Sequence, residues 1–362
     1  MSNVTAQQSL VARLLEIVRT APRWKQVGSV VGAVAFLSSP FVLAFIPTVP
    51  QQMLHVAVLW GLAAVGLNLL IWPLRLPSFG HALFFGTSAY VTAVLASNFD
   101  VSSFVVLLVA GAILTGVLGV FVGYFVKKFT ALSFGLITLA FAQVGFAIVR
   151  ASDFMGATQG LSVRPGAGRP TIFTLELTSF GYRLILYYVT LVIIALMLAA
   201  MWKLYKSPYG RTLFSIGQNR ERAKLIGVPV ERYIWSAFIL SAVYVGVAGA
   251  LFGMTTQYVQ PSAMSFFRSG ELLFMVIIGG MSSLVGPFLG GVLLWVMLEQ
   301  FGFAITYNNF LIGVILLFIV LAYPRGLYVS AQEVDSLRDV VNGGRKMGAR
   351  AKNAVVDGIK RR

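Results

Sequence analysis

The stretch Leu184–Trp202 reads LILYYVTLVIIALMLAAMW, 19 residues without a charge. A helix of about 20 apolar residues, rising 1.5 Å per residue, crosses the roughly 30 Å hydrocarbon core of a bilayer. A helix also satisfies its own backbone hydrogen bonds where no water can. The rival, a strand of a membrane barrel, would be about ten residues long with apolar and polar positions alternating. This stretch is too long and does not alternate, so it is read as a transmembrane helix.

The same reading extends outward over the chain. Apolar segments fall near 28–48, 52–72, 79–97, 103–126, 130–149, 183–202, 233–254, 270–283, 286–302 and 308–323. The predicted fold is therefore all-α, a polytopic transmembrane bundle of about ten segments. Segment 270–283 is short and turns at Ser282, Ser283, Gly286 and Pro287, so 270–302 reads either as a re-entrant hairpin or as two crossings. Of 362 residues, 58% are hydrophobic and only 11% charged, with a mean hydropathy of +0.84. Soluble domains carry about 25% charged residues, and here the scarce charges collect between the apolar runs.

Those charges orient the bundle, because cytoplasmic loops hold an excess of Lys and Arg. With both termini inside, 23 of the 28 basic residues fall on the cytoplasmic side and five outside. The formal charge of +16 is thereby explained by topology and anionic headgroups, with no nucleic acid as partner. Three regions follow. Residues 1–27 form a cytoplasmic segment in which Leu10, Leu14, Ile17 and Val18 oppose Arg13, Arg19 and Arg23, an amphipathic helix suited to a lipid surface. Residues 28–330 form the membrane domain, with a large cytoplasmic loop at 203–232. Residues 331–362 form a basic tail.

Catalytic equipment is absent. There is no Gly-Lys dipeptide and so no phosphate loop for ATP. No Ser sits in a GxSxG elbow. His55 and His81 lack carboxylate company for a metal, and no cofactor is expected. Acidic residues are scarce inside the segments, which disfavours ion-coupled carriage. The chain is read as a non-enzyme.

One cytoplasmic loop stands out, SPYGRTLFSIGQNRERAKLIGVPVER at Ser207–Arg232. Asn219 is a good N-cap and Glu221 lies in the first turn, favoured by the helix dipole. Gly227 is placed to take the left-handed conformation that closes a helix, and Pro229 blocks continuation. Two turns are marginal alone in water, so something should pack on them, with Ala223 and Ile226 on the receiving face. A loop helix resting on headgroups is the plainer alternative.

Glu221-Arg222-Ala223-Lys224-Leu225-Ile226-Gly227 resembles the Glu-Ala-Ala, three residues, Gly signature of the coupling loop in ABC-importer permeases, with Arg222 replacing the usual Ala. Ser78–Gly86 with Ala89-Tyr90 resembles the SLGHAAFFGIGAY segment of branched-chain amino acid permeases. Ile137–Gln143 resembles their TLAF segment, Ile278–Pro287 their GGxGSxxGP turn, and Tyr323–Leu327 the end of their last helix. The blocks keep family order over about 56–330 and come closest to the M-type subunit. Trp72–Pro77 departs from the family's Gly-Gln-rich turn, and Met155–Leu161 from its outer loop.

That resemblance implies a permease subunit of the cell (inner) membrane, importing branched-chain or other neutral amino acids with ATP hydrolysed on other chains. It implies a second homologous permease, two cytoplasmic ATP-binding subunits, an external solute-binding protein and a small-molecule solute. The coupling residues expected are Gly210, Arg211, Glu221, Arg222, Ala223, Ile226 and Gly227. The solute route is expected near Ser78, Gly80, His81, Gly86, Thr138, Gln143, Gly279 and Gly280. His81 can instead bridge helices, and Gln143 in mid-span must find a partner in protein or solute. Gly119/Gly123 and Gly249/Gly253 have the spacing that lets helices approach closely. Two other functions fit the composition: a passive channel or permease for urea, short amides or a similar neutral solute, and a non-transporting scaffold. Purified alone, the chain should hydrolyse no ATP; phosphate release that persists after every partner chain is removed would contradict this.

Overall fold

The computed structural model describes residues 51–164 and 179–302, together with positions 313, 314, 317, 321 and 326. The segments expected at 1–27, 28–48 and 331–362, and most of 308–323, lie outside the described residues. The described elements, in order, are α1 (Gln51–Ile71), α2 (His81–Asn98), α3 (Phe104–Val126), α4 (Ala131–Ala151), β1 (Leu161–Ser162), α5 (Ser179–Lys206), α6 (Pro208–Gln218), α7 (Arg220–Leu225), α8 (Val230–Thr256), β2 (Tyr258–Val259), α9 (Phe266–Gly279) and α10 (Val285–Gly302). All those with an apolar core of suitable length are helical, as the uncharged runs require.

Five of these helices are long and apolar enough to cross a membrane: Gln52–Ile71, Phe104–Val126, Ala131–Ala151, Gly181–Lys206 and Val230–Thr256. They divide into two kinds. The spans in α1 and α8 are 94% and 72% buried, whereas those in α3, α4 and α5 are each 28% buried. The outer three turn Val109, Ile113, Phe121, Val144, Ile148, Val192 and Leu196 outward. In water this would be an interaction surface; in a bilayer it is the face that meets hydrocarbon. The largely buried helix α2 carries His81, Ser88 and Thr92 among its buried residues, polarity that an outer helix could not hold in lipid.

Small residues bring the inner helices together. On α8, Gly249 sits against the Phe85 backbone and Gly253 against Ala89 and Thr92, both on α2. On α3, Gly119 meets Ala242 and Gly123 meets Phe238 and Trp235, all on α8. The GxxxG spacing thus marks two real seams, and a Cβ at any of these positions would push backbones apart.

The hairpin of α9 and α10 is unequal. The 14 residues of α9 cover about 21 Å, short of the hydrocarbon thickness, while the 18 of α10 cover about 27 Å. They meet at a glycine seam, Gly279 against Gly286 and Gly290, and Gly280 closes α9 at φ 108. Gly326 abuts Gly280 there, so two sequence blocks some 40 residues apart share one backbone contact.

On the opposite side, β1 pairs antiparallel with β2, Leu161 opposite Val259 and Ser162 opposite Tyr258. The pair ties the loop after α4 to the loop after α8, and Asn98 reaches the first of these through Phe154 O at 3.3 Å. Asn98 and Thr158 are exposed here, and Lys128 is exposed in the α3–α4 turn. Cysteines placed at Asn98 and Thr158 in this cysteine-free chain should react with an impermeant thiol reagent added outside cells, and one at Lys128 should not; external labelling at Lys128 would invert the orientation.

Candidate solute route and coupling loop

The chain between α1 and α2, Trp72–Gly80, is not helical. Pro73 and Pro77 each remove a backbone donor. Helix α1 closes with Leu76 N donating to Leu70 O and Arg75 N to Ile71 O, both at 3.0 Å. That pattern needs a left-handed residue, normally Gly, and Arg75 supplies it at φ 57.

Helix α2 then begins inside protein, where its first N–H groups have no water to meet. Hydroxyls take their place. Phe79 N donates to Thr138 Oγ1 of α4 at 3.2 Å, Gly80 N to Ser78 Oγ at 3.3 Å, and Ala82 N to Ser269 Oγ of α9 at 3.3 Å. Thr138 passes its own proton to Gly135 O at 2.7 Å. Gly80 rests directly on the Thr138 backbone.

His81 completes this cluster. Its Nδ1 lies 2.7 Å from Ser78 Oγ and its Nε2 lies 2.8 Å from Ser241 Oγ of α8. Ser241 donates its only hydroxyl proton to Gly66 O on α1, at 2.7 Å. Ser241 must therefore accept from His81, so Nε2 carries the proton and Nδ1 accepts from Ser78. The imidazole is neutral, fully buried and fully paired, with Phe84 and Phe238 edge-on to it. It bridges helices, as one of the two sequence readings had it.

The other face of the same segment is open. Ile71, Trp72, Pro73, Arg75, Pro77 and Phe79 line a cavity of about 740 Å³, closed by Phe214, Gly217 and Gln218 of α6, by Leu273 and Ile277 of α9, and by Met281 and Ser282. A second cavity of about 710 Å³ between α2, α3 and α4 is lined almost wholly by apolar side chains and opens on the lipid-facing side. The remaining sequence candidates lie apart. Gly86 packs on Met264, Gly279 and Gly280 form the glycine seam, and Gln143 is exposed on α4.

The loop expected to couple, 203–232, closes one side of this cavity through α6. Ser207 caps α6, accepting from Gly210 N at 3.1 Å, and Leu213 and Ile216 turn inward. Gly210 packs on the carbonyls of Leu204 and Tyr205, and Arg211 is exposed. Gly217 lies against the Pro73 backbone. Trp72 stands edge-on to Tyr205 at 4.8 Å and to Phe214 at 5.2 Å.

Asn219 caps α7, Oδ1 accepting from Arg222 N at 2.9 Å, and Gly227 is left-handed at φ 85. Glu221 pairs with Lys224 at 2.9 Å, an exposed contact worth a few tenths of a kcal/mol at most. Arg220 donates to Phe129 O at 2.8 Å, tying α7 to the α3–α4 turn. Burial lowers its guanidinium below the ordinary value, with Glu221 and Glu231 acting against that. Ala223 and Ile226 do not share a buried face. Ala223 is buried, while Leu225 and Ile226 are 87% and 71% exposed, because the helix ends at Leu225 and the turn to Gly227 swings Ile226 outward.

A family model described as "Branched-chain amino acid transport system / permease component" matches residues 49–320. The chain belongs to this family. It is 25% identical over 291 residues to the high-affinity branched-chain amino acid transport system permease protein LivM of Escherichia coli (strain K12), covering 75% of this chain and 68% of that one. It is 26% identical over 244 residues to the probable branched-chain amino acid transport permease protein LivH of Methanocaldococcus jannaschii, covering 64% and 73%. It is 29% identical over 133 residues to the autoinducer 2 import system permease protein LsrC of Klebsiella pneumoniae, covering 34% and 39%. No solved structure matches it significantly. The chain is thus a multi-pass membrane permease, a transport component and not a catalyst.

Several residues of this permease's candidate site escape sequence reasoning. Ser241 and Ser269 are small hydroxyls in apolar helices, and only their partners reveal them. Leu225 reads as an ordinary helix position. Ser241→Ala should leave His81 Nε2–H buried without an acceptor, a cost of about 1–3 kcal/mol. The purified variant should melt several degrees lower, and unchanged melting would show that the bridge carries no weight.

Proposed function

We propose that this permease is the membrane subunit of an ATP-driven importer for branched-chain or other neutral amino acids in the inner membrane. A second homologous permease, two cytoplasmic ATP-binding subunits and an external solute-binding protein complete the assembly. The carrying observation is the bare pair Leu225 and Ile226 at the tip of a capped, glycine-closed helix. Large apolar side chains exposed on a water-facing loop indicate a partner, and a groove on an ATP-binding subunit is the partner the family resemblance implies.

Motion reaching α7 has a path inward. Helix α6 directly precedes the N-cap of α7, and its Gly217 and Phe214 abut Pro73 and Trp72 at the break before α2. The solute passes along the cavity side of this break. Ser78, Gly80, His81 and Thr138 then act as the braced wall behind the route, since their polar groups are taken up by one another and by Phe79, Gly135 and Ser241. Gln143 presents the one amide on the exposed face of α4 and faces the second permease or the solute. Similarity to the LsrC protein favours a second reading, in which the solute is a different small polar molecule; competition of unlabelled solutes against labelled L-leucine uptake separates the two.

Gly227 offers the direct test. A Cβ there meets open space, so any effect of Gly227→Leu comes from the left-handed backbone, at about 1 kcal/mol or more. The reconstituted variant should assemble but lose uptake and solute-stimulated ATP hydrolysis together, while Leu225→Ser with Ile226→Ser should reduce recovery of ATP-binding chains in mild detergent. Normal uptake in the first variant and full recovery in the second would remove the docking role.

A further inference from the structure

Arg75 is the single charged side chain lining the 740 Å³ cavity among the described residues. It is also out of place by backbone preference. It takes the left-handed position that closes α1, φ 57, where Gly is usual and a residue with a Cβ is strained. Its N–H and that of Leu76 hold the closing pattern, so the conformation is fixed by the chain and the side chain is exposed. Nothing acidic lines the cavity with it. The other polar side chains that line it are Gln218 of α6 and Ser282 of the α9–α10 turn, both neutral and exposed.

Arg75 has no ion-pair partner among the described residues, and a guanidinium is a fixed positive charge with donors arranged to take a carboxylate side-on. In a recess walled by Trp72, Phe79, Phe214 and Leu273, its field is less screened than on an open surface. A basic residue at a helix C-terminus has a plainer role too, offsetting the dipole and marking the cytoplasmic side. Neither role requires the strained position, nor that the charge face a cavity.

We propose that Arg75 makes this cavity a carboxylate-selective inner vestibule, holding the carboxylate of the solute as it leaves the membrane domain. The inference rests on the transport reading above and narrows it. The solute class becomes small monocarboxylates with a neutral side chain, and urea and simple amides are disfavoured. The adjacent Gln218 belongs to α6, so release from the vestibule is sensed by the element that carries the coupling helix.

The chain has no cysteine, so Ser282→Cys places one thiol on the cavity wall. In the purified complex, its rates of modification by an anionic and a cationic methanethiosulfonate of equal size report the local potential. With Arg75 present the anionic reagent should be favoured, and Arg75→Gly should lower the anionic-to-cationic ratio at least about fivefold. Arg75→Gly also relieves the left-handed strain, so loss of fold does not confound it, and Arg75→Lys should keep the ratio high. Uptake of L-leucine by the reconstituted importer should fall in Arg75→Gly and recover in Arg75→Lys. An unchanged ratio in Arg75→Gly overturns the vestibule. So does L-leucine uptake that stays at the parent level in Arg75→Gly. Failure of the transport reading is separate: ATP-binding chains would not be recovered with the permease, while the thiol ratio would still respond to Arg75.

Discussion

Everything inside this permease turns on keeping a few polar groups paired where no water reaches them. His81 is the centre of that constraint. Its two ring nitrogens engage hydroxyls from the α1–α2 segment and from α8, and Ser241 carries the chain on to the α1 backbone. The distant helix α8 is thereby fixed against α1 and the segment that follows it, through one imidazole and one serine. The same economy serves the buried start of α2, where Thr138 and Ser269 reach in from α4 and α9. An unpaired group at any of these places would cost as much as a large fraction of a domain's net stability.

Around that centre, packing divides the helices by what they touch. Helices α1, α2 and α8 approach through glycine and alanine and are covered by protein, whereas α3, α4 and α5 present leucine, valine, isoleucine and phenylalanine outward. The loop at 203–232 is attached to the bundle at one point on the inner set and one on the outer. The aromatic trio Trp72, Tyr205 and Phe214 and the backbone contact of Gly217 with Pro73 form one, and Arg220 on Phe129 O the other. Between them the two loop helices bear on both places, α6 on the break before α2 and α7 on the turn before α4.

Much of this was legible in the sequence because it is local. Uncharged runs gave the spans, Asn219 and Gly227 bounded the short helix, and GxxxG spacing marked two seams. What escaped was set by tertiary pairing. His81 and Ser241 are 160 residues apart, and no local pattern joins them. Helix α2 reads as an ordinary span, yet its polar content makes sense only because other helices enclose it. Ile226 was expected to pack beside Ala223, but helix termination one residue earlier turned it outward. Pro73 and Pro77 mark the break before α2 locally; that one face is sealed and the other lines a cavity depends on α6 and α9, which arrive much later in the chain.

The hydroxyl–imidazole–hydroxyl chain has a consequence for energy conservation. Such chains can act as proton wires across membranes, and an importer that leaked protons would dissipate the gradient its host maintains. Here the chain starts at the Gly80 amide N–H and stops at the Gly66 carbonyl oxygen. An amide releases a proton only with great reluctance, and a carbonyl has none to hand on. The relay is therefore insulated at both ends, so the His81 imidazole can brace the break before α2 without short-circuiting the membrane.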